Sequence, residues 1–191
     1  MALPSVLHHV DLQLAHVDRG LEQAMALKVA RHPSETMERV WLRVLALAWQ
    51  WEEGIRFGPG LCDADAPDVL AARPDGTPSV LVRVGRPDVD RVARDLARSA
   101  GARVAVLFDG PRWMSAFVAE AEGRRLGRLA EAHLAAVDPP FLAALAGKDD
   151  RRCRCDLTLV RGHIYLTLGK ESLDGPLHRG SVRANDALPA R

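Results

Sequence analysis

Three residues stand where the surrounding pattern does not account for them. Glu38 is followed at i+4, i+7 and i+11 by Leu42, Leu45 and Trp49, so a helix here carries a carboxylate at the head of an apolar stripe. A carboxylate facing a core needs a cation, a metal or backbone donors, which leaves a structural hydrogen bond and a functional site both open. Asp68 follows Pro67 at the start of a short strand. The next strand places Leu81, Arg83 and Gly85 on one face and Val80, Val82 and Val84 on the other. An Arg inside an otherwise apolar strand has to reach solvent or a carboxylate, and Asp68 and Glu38 are the evident candidates. The expectation is an internal ion-pair cluster in which Arg83 bridges the two acids.

Other reactive side chains have plainer explanations. Glu35, Arg39 and Arg43 follow one another at i+4 steps, the pattern of a solvated ion-pair ladder. Cys153, Cys155 and His163 suggest a metal, but pairing across a turn at Arg161-Gly162 puts His163 about five residues from Cys155, roughly 17 Å along the strand. Both cysteines also share the face of Leu157, Leu159, Ile164, Leu166 and Leu168, so core packing is expected. Cys62 lies in an acidic loop and is expected to be exposed. His8 and His9 point to opposite faces of a strand, His32 precedes a helix start, and Ser34 is a helix cap rather than a nucleophile. No nucleophile elbow, phosphate-cradling Gly loop or dinucleotide fingerprint occurs.

The elements that must position these residues are legible in outline. Alternation predicts a strand over 5–17 and a second, pairing strand through Met25, Leu27 and Val29. A helix follows from about Glu35 to Trp51, then a loop over 54–67 and a hairpin of strands near 68–71 and 79–84 around Pro74-Asp75-Gly76-Thr77-Pro78. A helix over 87–100, a strand over 103–108 buried on both faces, a helix over 111–126, a strand near 132–137 and a short helix from Pro139 come next. In the terminal hairpin Leu159 faces Ile164, Leu157 faces Leu166 and Cys155 faces Leu168. Residues 171–191, rich in Gly, Pro, Ser and charge, are expected to be a flexible tail after a single domain over 1–170.

Composition bounds the function. The chain has 191 residues, 48% hydrophobic and 27% charged with a net charge of +1, which fits one globular domain and excludes disorder. With no long apolar run and no secretory start, a cytoplasmic protein without membrane contact is expected. Lys occurs only at 28, 148 and 170, so Arg supplies 23 of the 26 basic residues. Ala is abundant too, and both rise together in GC-rich coding sequences. The near-zero net charge argues against a basic coat while leaving a local basic cleft open.

Four segments resemble the YaeQ family: Ala30-Arg31-His32-Pro33-Ser34-Glu35-Thr36 with Glu38-Arg39, Phe57-Gly58-Pro59-Gly60-Leu61, the acidic stretch Asp63 to Asp68, and Val84-Gly85-Arg86-Pro87-Asp88. The resemblance spans roughly residues 5–170 and includes the terminal hairpin. It implies an α/β fold, a mixed sheet flanked by helices with a restriction-endonuclease-like PD-(D/E)XK core and a C-terminal β-hairpin. In nucleases of that superfamily a helix acid, a strand Asp and an acid-x-Lys pair gather Mg²⁺ and activate water. By position these become Glu38, Asp68 and Arg83-x-Gly85, with Arg86 or Arg91 supplying a basic group in place of the Lys. Arg83 replaces an acid. An Arg about 4 Å from a divalent ion repels it by about 8 kcal/mol at an effective dielectric near 20, unless it swings away or another acid such as Asp88 takes over.

The leading expectation is therefore a degenerate, non-catalytic site at Glu38, Asp68, Arg83 and Arg86, without a cofactor, in a domain that binds nucleic acid or a protein partner. The alternatives are a Mg²⁺- or Mn²⁺-dependent nuclease with Glu38 and Asp68 as metal ligands, and an adaptor acting through an exposed surface, for which Trp41, Trp49, Trp51 and Trp113 are candidates.

Overall fold

The structure is a computed structural model that describes residues 5–184 apart from 64 and 149. Strands β1 (Val6–His16) and β2 (Leu21–Arg31) form an antiparallel pair in unbroken register from Val6 opposite Arg31 to His16 opposite Leu21. As the alternation requires, His8, Val10, Leu12, Leu14 and His16 are buried. Helix α1 (Met37–Trp49) follows. It is shorter than expected and is capped by the Thr36 side chain, which accepts the Arg39 N–H, rather than by Ser34. The remaining elements are β3 (Arg56–Phe57), β4 (Val69–Ala72), β5 (Pro78–Val84), α2 (Val89–Arg98), β6 (Arg103–Phe108), α3 (Pro111–Gly123), β7 (His133–Val137), α4 (Pro139–Ala146), β8 (Arg152–Val160), β9 (His163–Leu168) and β10 (Glu171–Gly180).

Among the described residues ten strands make one mixed sheet in the order β2-β1-β8-β9-β10-β7-β6-β5-β4-β3. The β8–β9 hairpin has the expected register, and its turn residues Arg161 (φ 49°) and Gly162 (φ 72°) both take the positive φ that a tight two-residue hairpin requires. Strand β8 lies parallel to β1, with Leu12 beside Cys155 and Leu14 beside Leu157. The tail expected from residue 171 is instead, over 171–180, a strand that joins the two halves of the sheet. Its first part pairs with β9 and its second, Leu177–Gly180, with β7. Its glycines mark close packing: a Cβ on Gly175 would stand 2.9 Å from Phe141, and one on Gly180 2.7 Å from the Met114 sulfur. The end of the expected tail, residues 185–191, lies outside the described residues.

Helices α1 and α4 pack in one core with Val80, Val82 and Val84 of β5 and with β1, β8 and β9, so this core draws on both halves of the sheet. Helices α2 and α3 cover the opposite face, where Leu81 of β5 meets Val89, Val92 and Leu96. Every residue of α1 from Val40 to Ala48 is buried, as in a helix enclosed on all sides. Among the described residues no helix is long and apolar enough to cross a membrane.

Candidate functional site

The chemistry-bearing residues gather where α1 begins and β5 and β6 end, but not in the expected pairing. Leu81 and Arg83 share the face covered by α2, so Arg83 meets α2 instead of α1. Its Nε donates to Asp95 Oδ2 at 2.5 Å and its Nη2 to Asp95 Oδ1 at 3.0 Å, while Nη1 and Nη2 also donate to the carbonyls of Ala66 (3.2 Å) and Asp65 (2.8 Å). Arg83 is 5% exposed and fully engaged. The expected bridge from Arg83 to Glu38 and Asp68 is therefore absent.

Asp68 finds its cation on α1. Arg39 Nη2 donates to Asp68 Oδ1 and Arg39 Nη1 to the Val84 carbonyl (3.1 Å), while Asp68 Oδ2 accepts the Val84 N–H at 2.9 Å. One paired guanidinium and carboxylate thus satisfy both backbone groups of Val84 at the end of β5. Arg39 Nε also lies 3.3 Å from Glu35 Oε1. Glu35 in turn accepts the His32 N–H (3.2 Å) and faces Arg43 Nη1 at 3.5 Å, and Arg43 donates to the carbonyls of Ala30 (2.9 Å) and Gly58 (3.4 Å). The Glu35, Arg39, Arg43 ladder exists, but it is not solvated: Glu35 and Arg43 are 3% and 1% exposed. Two acids and two arginines make a network neutral overall, as a low-dielectric setting demands, although the buried Nε atoms of Arg39 and Arg43 have no hydrogen-bond partner among the described residues.

Glu38 departs from its expected place in the opposite sense. It is exposed: Met37 beside it turns into the core, whereas Glu38 faces outward and unbroken burial begins at Val40. It lines a hollow of about 260 Å³ with Arg39, Arg86 and Asp109; an adjoining hollow of about 230 Å³ is lined by Arg39, Asp68, Arg83, Arg86 and Arg91. Arg39 and Arg86 belong to both hollows. Gly85, at φ 84°, turns the chain outward, and a Cβ there would be strained and only 3.4 Å from Arg39 Nη1. The turn releases Arg86 into the cleft, where it pairs with Asp109 (Nε to Oδ2 2.9 Å) and lies 3.8 Å above the Trp113 ring. Asp88 caps α2 by accepting the Arg91 N–H at 2.7 Å.

These donors do not fit a divalent cation. Mg²⁺ needs several oxygen ligands around one point, yet both Asp68 oxygens are engaged, and the charge against Asp68 is a guanidinium. Among the described residues no group of three His, Cys, Asp or Glu side chains comes together to hold a metal. Cys155 is fully buried, as its alternation predicts, and burial pushes its thiol up to about 12; Cys153 is half-buried. The exposure expected of Cys62 concerns a side chain outside the described ones. Trp41 is in the core, whereas Trp49, Trp51 and Trp113 are partly buried.

Fold and cleft together define a mixed α/β protein whose sheet carries an internally neutralised arginine–carboxylate cluster at the ends of its parallel strands. The chain belongs to the YaeQ family, whose model, described as YaeQ protein, matches residues 1–175. It is similar to the uncharacterised protein YaeQ of Escherichia coli K12, 28% identical over 174 residues covering 91% of this chain and 94% of that one. The Salmonella typhi counterpart is 27% identical with the same coverage. Among solved structures, the YaeQ protein of Xanthomonas axonopodis pv. citri superposes with a TM-score of 0.85 at 26% identity, over 93% of this chain and 99% of that one. The YaeQ protein of Pseudomonas syringae gives 0.82 at 29% identity, over 93% and 97%.

Proposed function

We propose that this protein is a non-catalytic relative of PD-(D/E)XK nucleases, in which an arginine has taken the place of the metal and the cleft binds the phosphate backbone of a nucleic acid. The carrying observation is the Arg39 guanidinium held against Asp68 while Arg83 is turned to Asp95. A cation fixed by covalent attachment to the chain keeps Asp68 neutralised without providing a Lewis acid or an activated water. The cleft wall supports the second half of the reading: Arg86 and Arg91 line the smaller hollow with partly exposed side chains. Arg86 pairs with Asp109 and Arg91, at 4.0 Å, with Asp65 and Asp88, so their guanidinium forks can turn to phosphate oxygens. Arg86 is the more available of them, with its side chain 54% exposed and its guanidinium stacked on Trp113.

Fluorescence anisotropy with labelled single-stranded and duplex DNA and RNA tests this directly. Binding should weaken in Arg86→Glu and Arg91→Glu, and its logarithm should fall with log salt with a slope of about −2 to −3, the release expected from two or three phosphate contacts. The same oligonucleotides should stay intact with Mn²⁺. Cleavage that requires Mn²⁺ and disappears in Asp68→Ala would make the protein a nuclease and overturn the reading, as would the absence of binding to any of the four nucleic acids at low salt.

A further inference from the structure

At the opposite end of the same parallel strands lies a larger cavity, of about 520 Å³. It opens where α1 ends and β6 and β7 begin, beside the last residues of β1 and β10. One helix length, about 20 Å for the 13 residues of α1, separates it from the cleft. Its lining includes Arg19, Arg103 and Arg179 with the imidazoles of His16 and His133, and the Trp49 ring forms an apolar wall. Two acids share this wall: Asp18 lines the cavity, and Glu52 reaches it through Arg103. Asp18 accepts the Arg161 N–H with both oxygens (3.0 and 2.9 Å), and Glu52 pairs with Arg103 at 3.1 Å and accepts the Ser79 hydroxyl.

Helix capping explains part of this arrangement. Arg103 donates to the Gln50 carbonyl (3.0 Å) and Arg19 to that of Trp51 (2.9 Å), which suits the negative end of α1. It does not explain Arg179, whose side chain is exposed at the cavity with no ion pair or hydrogen bond among the described residues. Nor does it explain His16, which is only 5% exposed, lines the cavity and has a buried Nδ1 without a hydrogen-bond partner. Burial, then Arg19, holds His16 below its ordinary value; burial, then Arg103 and Arg179, does the same for His133. Against Asp18 and Glu52 the three arginines keep a net positive charge, with the Arg179 guanidinium unpaired among the described residues beside two imidazoles, an arrangement complementary to an anion.

We infer that this cavity binds a small phosphoryl-class anion, held by the guanidinium groups of Arg19, Arg103 and Arg179 beside the His16 imidazole. A monocarboxylate offers two oxygens and one charge. A phosphoryl group offers three oxygens in the geometry that guanidinium forks match, and the volume lies within the range of small-molecule sites. The site is separate from the cleft that underlies the proposed function, so the two can fail independently.

Isothermal titration of the full chain with inorganic pyrophosphate at pH 7.5 is the test. A saturable tight component is expected, weakened about tenfold or more in Arg179→Ala and retained in Arg86→Ala, which removes at most a weaker component from the cleft. Because Arg179 is exposed and unpaired among the described residues, the variant should melt with the wild type, which separates lost binding from lost folding. A second readout follows the His16 imidazole by NMR: pyrophosphate should move its titration upward in the wild type and leave it in place in Arg179→Ala. Absence of binding at roughly 10 mM pyrophosphate, equal binding in wild type and Arg179→Ala, or loss of binding in Arg86→Ala alone would overturn the inference. The last result would place the anion in the cleft.

Discussion

Replacing Arg39 by Ala removes the cation that neutralises Asp68 and the only side-chain donor to the Val84 carbonyl among the described residues. Asp68 stays 7% exposed with a single backbone donor, while Glu35 keeps Arg43. Breaking a buried ion pair from one side costs about 3–5 kcal/mol. The Arg39 side chain is 26% exposed, so water can reach the vacated place and the lower end, about 3 kcal/mol, applies. For a chain of this length that corresponds to a fall in Tm of about 6–12 °C. Most of the cost is the stranded charge, so Asp68→Asn in the Arg39→Ala background should recover about 1–2 kcal/mol, because the amide oxygen can still accept the Val84 N–H. The same logic gives a metal arm. With the guanidinium gone, millimolar Mn²⁺ should raise the Tm of Arg39→Ala but not of the wild type, since a ligand stabilises only the state it binds. Scanning calorimetry of the four proteins with and without Mn²⁺ reads every term. Additivity of the two substitutions within about 0.5 kcal/mol, or an equal Asp68-dependent rise in the wild type, would refute the idea that Arg39 stands in for a metal.

Three further outcomes can be measured on the same preparation. Arg83→Ala should cost about 3–4 kcal/mol by chemical denaturation, more than Arg86→Ala, because it strands Asp95 and two loop carbonyls in a site 5% exposed; a cost equal to that of exposed Arg86 would contradict the pairing. Gly175→Val should destabilise by about 1–3 kcal/mol through its clash with Phe141, whereas the same change at Gly76 meets open space and is limited to its backbone strain at φ 83°. His16 and His133 both have folded values below 6.5, so the unfolded chain binds protons first as pH falls. Their contribution is present above pH 6.5 and is lost as pH falls below it, so the Tm should drop between pH 7.5 and 5.5, and less steeply in His16→Leu.

The parts of the fold that follow strict alternation are legible in the residues themselves. The buried even positions of β1 and the β8–β9 register both follow from period two and a turn with two positive φ angles. The candidate site is legible in its membership but not in its pairing. Periodicity assigns Glu38 to the core and Glu35 to solvent, the reverse of their places in the fold, because a helix buried on all sides offers no solvent face from which to set the phase. Arg39 then reads as a surface residue. Proximity in the pattern pairs Arg83 with Asp68 and Glu38, although its own alternation with Leu81 points to the face of α2; only the packing of α2 identifies Asp95 as the acceptor. Strand β10 is hidden by composition, since the glycines that suggest a tail are required by the approach of Phe141 and Met114.

The position of β10 also bears on the order of assembly. It is the last strand among the described residues yet lies between β9 and β7, so until it docks on β7 that seam presents open edges, the template on which one chain pairs with another. Strand β8, the partner of β9, must also find β1, with His9 opposite Arg152, a contact that closes most of the chain into one loop. Contacts this distant in sequence slow folding. Refolding yield is therefore expected to fall as protein concentration rises, as half-sheets with open edges at β7 and β10 would pair between chains.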